Sequence, residues 1–169
     1  MILLLFLIAS STHSQDKVSG YFSLQYNKTV SDITFGNNPS GVGLGLETYI
    51  NTKSKFKLTA EVTGHIYLEN DKVFRMTTSG NGLESVGSML NVFAGASFHP
   101  GVNAFFSFLV GPSFIDGDTR FGIKPSMGFY FDKGKKIMGK MSYINIFNRV
   151  KSFKEDFGTI NITIGFKLY

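Results

Sequence analysis

The final thirteen residues, FGTINITIGFKLY (Phe157 to Tyr169), alternate two kinds of side chain almost without error. Ile160, Ile162, Ile164, Phe166 and Leu168 share one face, and Thr159, Asn161, Thr163, Gly165 and Lys167 share the other. Successive side chains of a strand point to opposite sides, so this segment is a strand with one apolar and one polar face.

Seven earlier segments repeat the pattern: Val18 to Tyr26, Gly41 to Asn51, Phe56 to Leu68, Val86 to Phe98, Ala104 to Phe114, Phe121 to Phe131, and Lys136 to Phe147. The seventh loses phase at Ile144 and Ile146, which a β-bulge near Tyr143 would restore by one extra residue. No segment shows the i, i+3, i+4 spacing of an amphipathic helix. Each runs about 9 to 13 residues, the length of a tilted strand crossing a bilayer and longer than the usual strand of a water-soluble sheet.

The connections vary in a regular way. NTKSK, HPGVN and DKGKK are short, whereas most of those between them (KTVSDITFGNNPS, residues 69–85, IDGDTR and NRVKSFKED) are longer and richer in polar residues. Membrane barrels alternate short periplasmic turns with longer extracellular loops, keep both termini periplasmic, and use an even number of strands. Ahead of the first segment lies MILLLFLIASSTHSQ, whose apolar run is too short to span a membrane as a helix and suits an export signal. We therefore expect a signal peptide over residues 1–15, cut near Ser14 or Gln15, although no Lys or Arg follows Met1. Residues 16–169 then form one all-β domain.

Composition narrows the functional classes. The chain has no Cys, which excludes disulfides, thiolate metal sites and a lipid-modified N-terminal Cys. The net charge of +5 raises the question of nucleic acid. The basic residues, however, sit in turns and loops and form no stripe interleaved with aromatics, so no nucleic-acid partner is expected.

Hydrocarbon offers backbone groups no hydrogen-bond partners, so a membrane sheet must close on itself. Eight strands leave an interior just wide enough for side chains. The inward positions supply a polar network of Glu47, Lys57, Glu61, His65, Lys124, Tyr130, Lys140 and Lys167, with both charge signs present so that each can be partnered. Inward glycines, such as Gly43, Gly95 and Gly128, would make room for long Lys and Tyr side chains.

In this pattern the chain resembles the small, porin-like outer-membrane β-barrel proteins of Gram-negative bacteria, of the eight-stranded OmpA–OmpX type. The likeness covers residues 16–169 and rests on alternation rather than on a motif. It implies an eight-stranded antiparallel transmembrane barrel in the cell outer membrane. It also implies lipid as its surroundings and the barrel-assembly machinery as a partner in biogenesis. That machinery reads a terminal aromatic in phase with the outward face; here Phe166 and Leu168 hold the phase and Tyr169 stands one residue out of it.

Candidate chemistry is sparse. His13 falls in the signal segment, and His65 shares the parity of Glu61 and suits a lumenal network better than a base. Ser97 and His99 have the spacing of a lipid A deacylase pair, but in reversed order and at the opposite end of the barrel. The stretch Ser142 to Asn145 lacks the histidine that such enzymes need. Asp116 and Asp118 flank Gly117 and could hold calcium, yet Asp-Gly is the commonest turn chemistry. The glycines of GVGLG precede no helix and are no phosphate loop.

We expect no enzymatic activity and no cofactor or metal. The expected role is structural or surface-interacting, through an extracellular ligand or partner that binds the loops. Phe74, Arg75 and Met76 are the contact candidates. The alternatives are a lipid A-modifying barrel enzyme and a secreted lipocalin-like ligand carrier. The second requires an apolar lumen, against the Lys and Glu found on the inward faces.

Overall fold

The computed structural model describes residues 18–30, 38–68, 86–115, 117–150 and 155–169, with backbone alone at 149, 150 and 155. Residues 1–15, residues 69–85 with Phe74, Arg75 and Met76, and Asp116 lie outside that set. The chain forms β1 (Val18–Thr29), β2 (Ser40–Asn51), β3 (Phe56–Leu68), β4 (Ser88–Phe98), β5 (Ala104–Ile115), β6 (Asp118–Tyr130), β7 (Ile137–Val150) and β8 (Glu155–Lys167). Each strand pairs antiparallel with its sequence neighbour. β8 returns to β1, from Tyr21 opposite Lys167 to Thr29 opposite Thr159, and closes the barrel. No sheet edge is left unpaired, which removes the strand's main liability.

One outward row shows how the register assembles the wall: Leu24 pairs with Leu44, Leu44 with Gly64, Gly64 with Leu90, and Leu90 with Phe114. Leu24, Leu44, Leu58, Ile66, Phe108, Ile162 and Ile164 are all exposed, part of an apolar belt around the barrel. A belt this continuous is far larger than the patches that water-soluble monomers carry. Leu46 lies midway along β2 between Phe22 and Val62. Leu46→Arg is expected to destabilise the barrel folded in lipid vesicles by about 2–4 kcal/mol. The chain has no Trp, so the folded fraction in urea is best read from gel mobility without boiling.

The start of β1, the end of β8 and the connections 52–55, 99–103 and 131–136 lie at one end, here called the turn end. The β1–β2, β3–β4, β5–β6 and β7–β8 strand pairs are joined at the other, loop end. Only 30–39 and 69–87 are long there. β6 begins at Asp118 and β7 runs to Val150, so much of IDGDTR and NRVKSFKED is strand. Gly117, at φ 85°, makes the tight reversal between Ile115 and Asp118, and Asp118 pairs with Arg120.

Two local expectations change. No bulge occurs at Tyr143: β7 pairs with β8 without interruption from Ile137 to Ile146, and the irregularity falls between Ile146 and Val150. Ile144 and Ile146 point inward and are fully buried, while Tyr143 and Asn145 point outward. The polarity of the two faces has inverted there. Outside, Asn145 donates to Asp156 (3.1 Å), which also accepts from the Asn148 backbone N–H (2.9 Å). The second change concerns Tyr169. β8 ends at Lys167, which frees the last residue from strand parity. Its ring lies over Gly20, on the outward face of β1, and its carbonyl accepts from the Gly20 N–H at 3.3 Å. A side chain at position 20 would occupy that place.

Candidate functional site in the lumen

Three layers fill the lumen along the barrel axis. At the turn end Tyr21, Tyr49, Phe105, Tyr130 and Met138 form a buried cluster with His99. The His99 ring stacks on Phe105 (centroids 5.5 Å apart) and Tyr130 (6.2 Å), with Tyr49 edge-on at 5.8 Å. At the loop end Tyr67, Val86, Met89, Phe93, Leu109, Ile115, Ile144, Ile146 and Phe157 make a second, apolar plug. Sequence alternation marked Ile144 and Ile146 as a fault because it treats polarity as constant along a strand; the inside of this end is apolar.

Between the plugs lie the charges. Lys124 Nζ donates to Glu61 Oε1 (2.7 Å), and Lys140 Nζ to Glu47 Oε2 (2.6 Å) and Glu61 Oε2 (3.3 Å). Tyr49 OH donates to Glu47 at 2.8 Å. Two acids and two bases, all fully buried, cancel in net charge. They come from β2, β3, β6 and β7, so the quartet ties opposite walls together.

A neutral network continues toward the loop end. Gln25 Nε2 donates to Ser23 (3.1 Å) and Glu61 (3.4 Å), while its Oε1 accepts from His65 Nε2 (2.9 Å) and Asn161 Nδ2 (2.9 Å). Asn161 also donates to Asn27 (2.7 Å) and accepts from Thr163 (2.6 Å). Gln25, Asn27, Asn161 and Thr163 were not singled out from sequence, although their inward parity was the available signal.

The expected lumenal residues thus separate. Glu47, Glu61, Lys124 and Lys140 meet in the quartet, and His65 joins through Gln25. Tyr130 belongs to the aromatic plug. Lys57 is half-buried and Lys167 exposed at the turn end, so neither enters the quartet. The inward glycines make room chiefly for rings and methionine rather than for lysines. A Cβ on Gly43 would strike His65, on Gly128 Phe105, and on Gly165 Met138 at 2.5 Å.

No described serine stands beside a histidine base. Ser97 Oγ is paired with Thr59 Oγ1 at 2.6 Å, and neither ring nitrogen of His99 has a partner. Ser142 faces inward and Asn145 outward, on opposite sides of β7. The described lumen holds a charge-balanced quartet between two buried clusters.

No protein-family model matches the chain, and no curated protein matches it in sequence. Solved structures do. Ail, the attachment invasion locus protein of Yersinia pestis, is similar with a TM-score of 0.56 and 13% identity, over 90% of this chain and 98% of Ail. Neisserial surface protein A (NspA) is similar with a TM-score of 0.56 and 9% identity, over 88% of this chain and 96% of NspA. The fold is that of the small eight-stranded outer-membrane barrels. A transmembrane β-barrel designed de novo shares it too, with a TM-score of 0.51 and 12% identity over 90% of this chain and 95% of the design. At identities this low the likeness concerns architecture. In this barrel the ion quartet and the two plugs are read from its own side chains.

Proposed function

We propose that this chain is an integral outer-membrane barrel with a structural or surface-interaction role, its termini and short turns periplasmic and its long loops outside the cell. The observation that carries this reading is an apolar outer wall wrapped around a lumen packed with a balanced ion quartet between two buried clusters. Such a molecule is anchored by its wall and does no evident work through its interior, which leaves the loops for recognition.

Residues 69–85, with Phe74, Arg75 and Met76, are the proposed contact segment. Ail has been solved in complex with the heparin analogue sucrose octasulfate and in a phospholipid bilayer nanodisc. Those two settings support lipid and an extracellular ligand as partners of this chain. The barrel-assembly machinery is the proposed partner in biogenesis, reading the β8 terminus with the Tyr169 ring on the outward face. The 1–15 signal peptide delivers the barrel domain, residues 16–169, to it.

The test is fractionation with gel mobility before and after boiling, followed by replacement of residues 69–85 with a Gly-Ser linker. The barrel should stay in the outer-membrane fraction and shift on boiling, and the linker variant should keep that shift while losing surface binding. Extraction into detergent-free buffer would overturn the membrane placement. Unchanged surface binding by the linker variant would remove the role given to the loop.

A further inference from the structure

The turn-end mouth carries a concentration of lysines that no ion pair among the described residues neutralises. Lys57 Nζ stands 5.9 Å from the centre of the Tyr49 ring, and Lys135 Nζ stands 5.1 Å from that of Tyr130. Those two rings flank His99. Lys57 lies within electrostatic reach of both Lys135 and Lys167. Among the described residues no ion pair joins any of the three to a carboxylate. Two acids, Glu47 and Asp132, act on Tyr21 at this end. Glu47 is held by Lys140 and Tyr49, and Asp132 accepts from the backbone N–H groups of Lys136 (2.7 Å) and Ile137 (3.0 Å).

Two further observations mark the mouth as built. His99 is only 7% exposed, yet both its ring nitrogens lack a hydrogen-bond partner. A buried polar atom without a partner is rare enough to need an explanation. Lys135 adopts φ 55°, a left-handed conformation uncommon for a residue with a Cβ. There its carbonyl accepts from Tyr21 OH at 2.9 Å while its ammonium lies over Tyr130. The backbone is held in a sparsely populated state that keeps the Lys135 ammonium within electrostatic reach of Lys57.

We propose that the turn-end mouth is a binding site for a phosphate-type oxyanion, held by the ammonium groups of Lys57, Lys135 and Lys167 with the imidazole of His99 beneath them. A phosphate group offers several acceptor oxygens and more than one negative charge, which matches three cations better than a single carboxylate does. Its source is either a soluble phosphate compound or the headgroup of an anionic phospholipid, since Phe56, Phe131 and Ile137 of the apolar belt end beside the same turns. Burial, then the charges of Lys57 and Lys135, hold the His99 imidazole down to about 4. Tyr21, Tyr49 and Tyr130 also face this space, with Glu47 beneath them. A bound anion favours the imidazolium, so the His99 midpoint rises on binding, and affinity tightens as the pH falls toward that midpoint.

The test uses the full chain labelled with 13C-histidine in zwitterionic micelles, with the His99 signal assigned by its loss in His99→Gln. Sodium pyrophosphate is titrated against sodium chloride at matched ionic strength. A second arm compares nanodiscs of phosphatidylcholine with and without phosphatidylglycerol. The expected result is a saturable shift of His99, with the buried His65 unmoved. A Lys57→Gln/Lys135→Gln variant should bind at least about tenfold more weakly. A response to pyrophosphate identifies a soluble anion as sufficient, and a response confined to phosphatidylglycerol identifies the headgroup. No shift beyond the chloride control in either arm overturns the proposal, as does undiminished affinity in the double variant. If that variant does not fold, as judged by gel mobility, Lys167→Gln serves in its place.

Discussion

Replacing Lys140 with methionine is expected to destabilise the barrel by about 3–5 kcal/mol, because it removes one partner of a fully buried ion network. Lys140 is the only described cation bonded to Glu47, and it shares Glu61 with Lys124. In Lys140→Met two buried carboxylates are left with a single ammonium between them. The loss should appear as an earlier urea midpoint for the boiling-sensitive gel band in lipid vesicles. The compensating variant is the sharper measurement. Lys140→Met combined with Glu47→Gln leaves one balanced pair, Glu61 with Lys124, and should recover more than half of the loss. Such non-additivity is the signature of residues that act as one network. A double-variant loss equal to the sum of the Lys140→Met and Glu47→Gln single-variant losses would mean that the charges at these sites are independent.

A second large effect is expected at Gly95 and Gly111, where β4 and β5 leave no room for a Cβ. A Cβ on Gly95 would overlap the Phe108 carbonyl oxygen and sit 3.0 Å from Leu109 Cα. On Gly111 it would overlap the Val92 carbonyl oxygen and sit 3.1 Å from Phe93 Cα. These obstacles are backbone, which cannot swing aside as a side chain can. Regular pairing between the two strands is also interrupted between Asn91–Ser113 and Ala94–Val110. Gly95→Ala or Gly111→Ala should therefore lower stability by about 1–3 kcal/mol or prevent closure. Gly64→Ala is the control. Gly64 faces outward with nothing within 4 Å of its missing Cβ, so the change should stay within about 0.5 kcal/mol. Similar urea midpoints for all three variants would refute a role for backbone contact.

Much of this was legible in the chain because a strand's side-chain period is two and a membrane barrel has only two environments. The inward parity of Glu47, Glu61, His65, Lys124 and Lys140 could be read directly, since placing any of them in lipid would be costly. The seventh strand shows where that logic stops. Tyr143 and Asn145 keep outward parity while polarity inverts, because the strand runs on past the apolar belt and its interior meets a hydrophobic plug. Loop lengths misled for a related reason. Polar residues such as Asp118 and Arg120 look like loop to a reader who expects strands to end where the membrane does, yet here they extend β6.

The alternating residues by themselves determined that this chain forms eight antiparallel strands with an apolar outside and a polar inside. Parity is a local property, settled by backbone geometry and by where a charge can sit. Partnership is not local. Only closure of β8 on β1 brought Lys140 to Glu47 and Glu61 across the lumen, set the terminal ring of Tyr169 over Gly20, and brought Lys57 and Lys135 to His99. Each of those contacts joins residues far apart in the chain. Their distances depend on the stagger accumulated around the whole barrel, a quantity that no single strand contains.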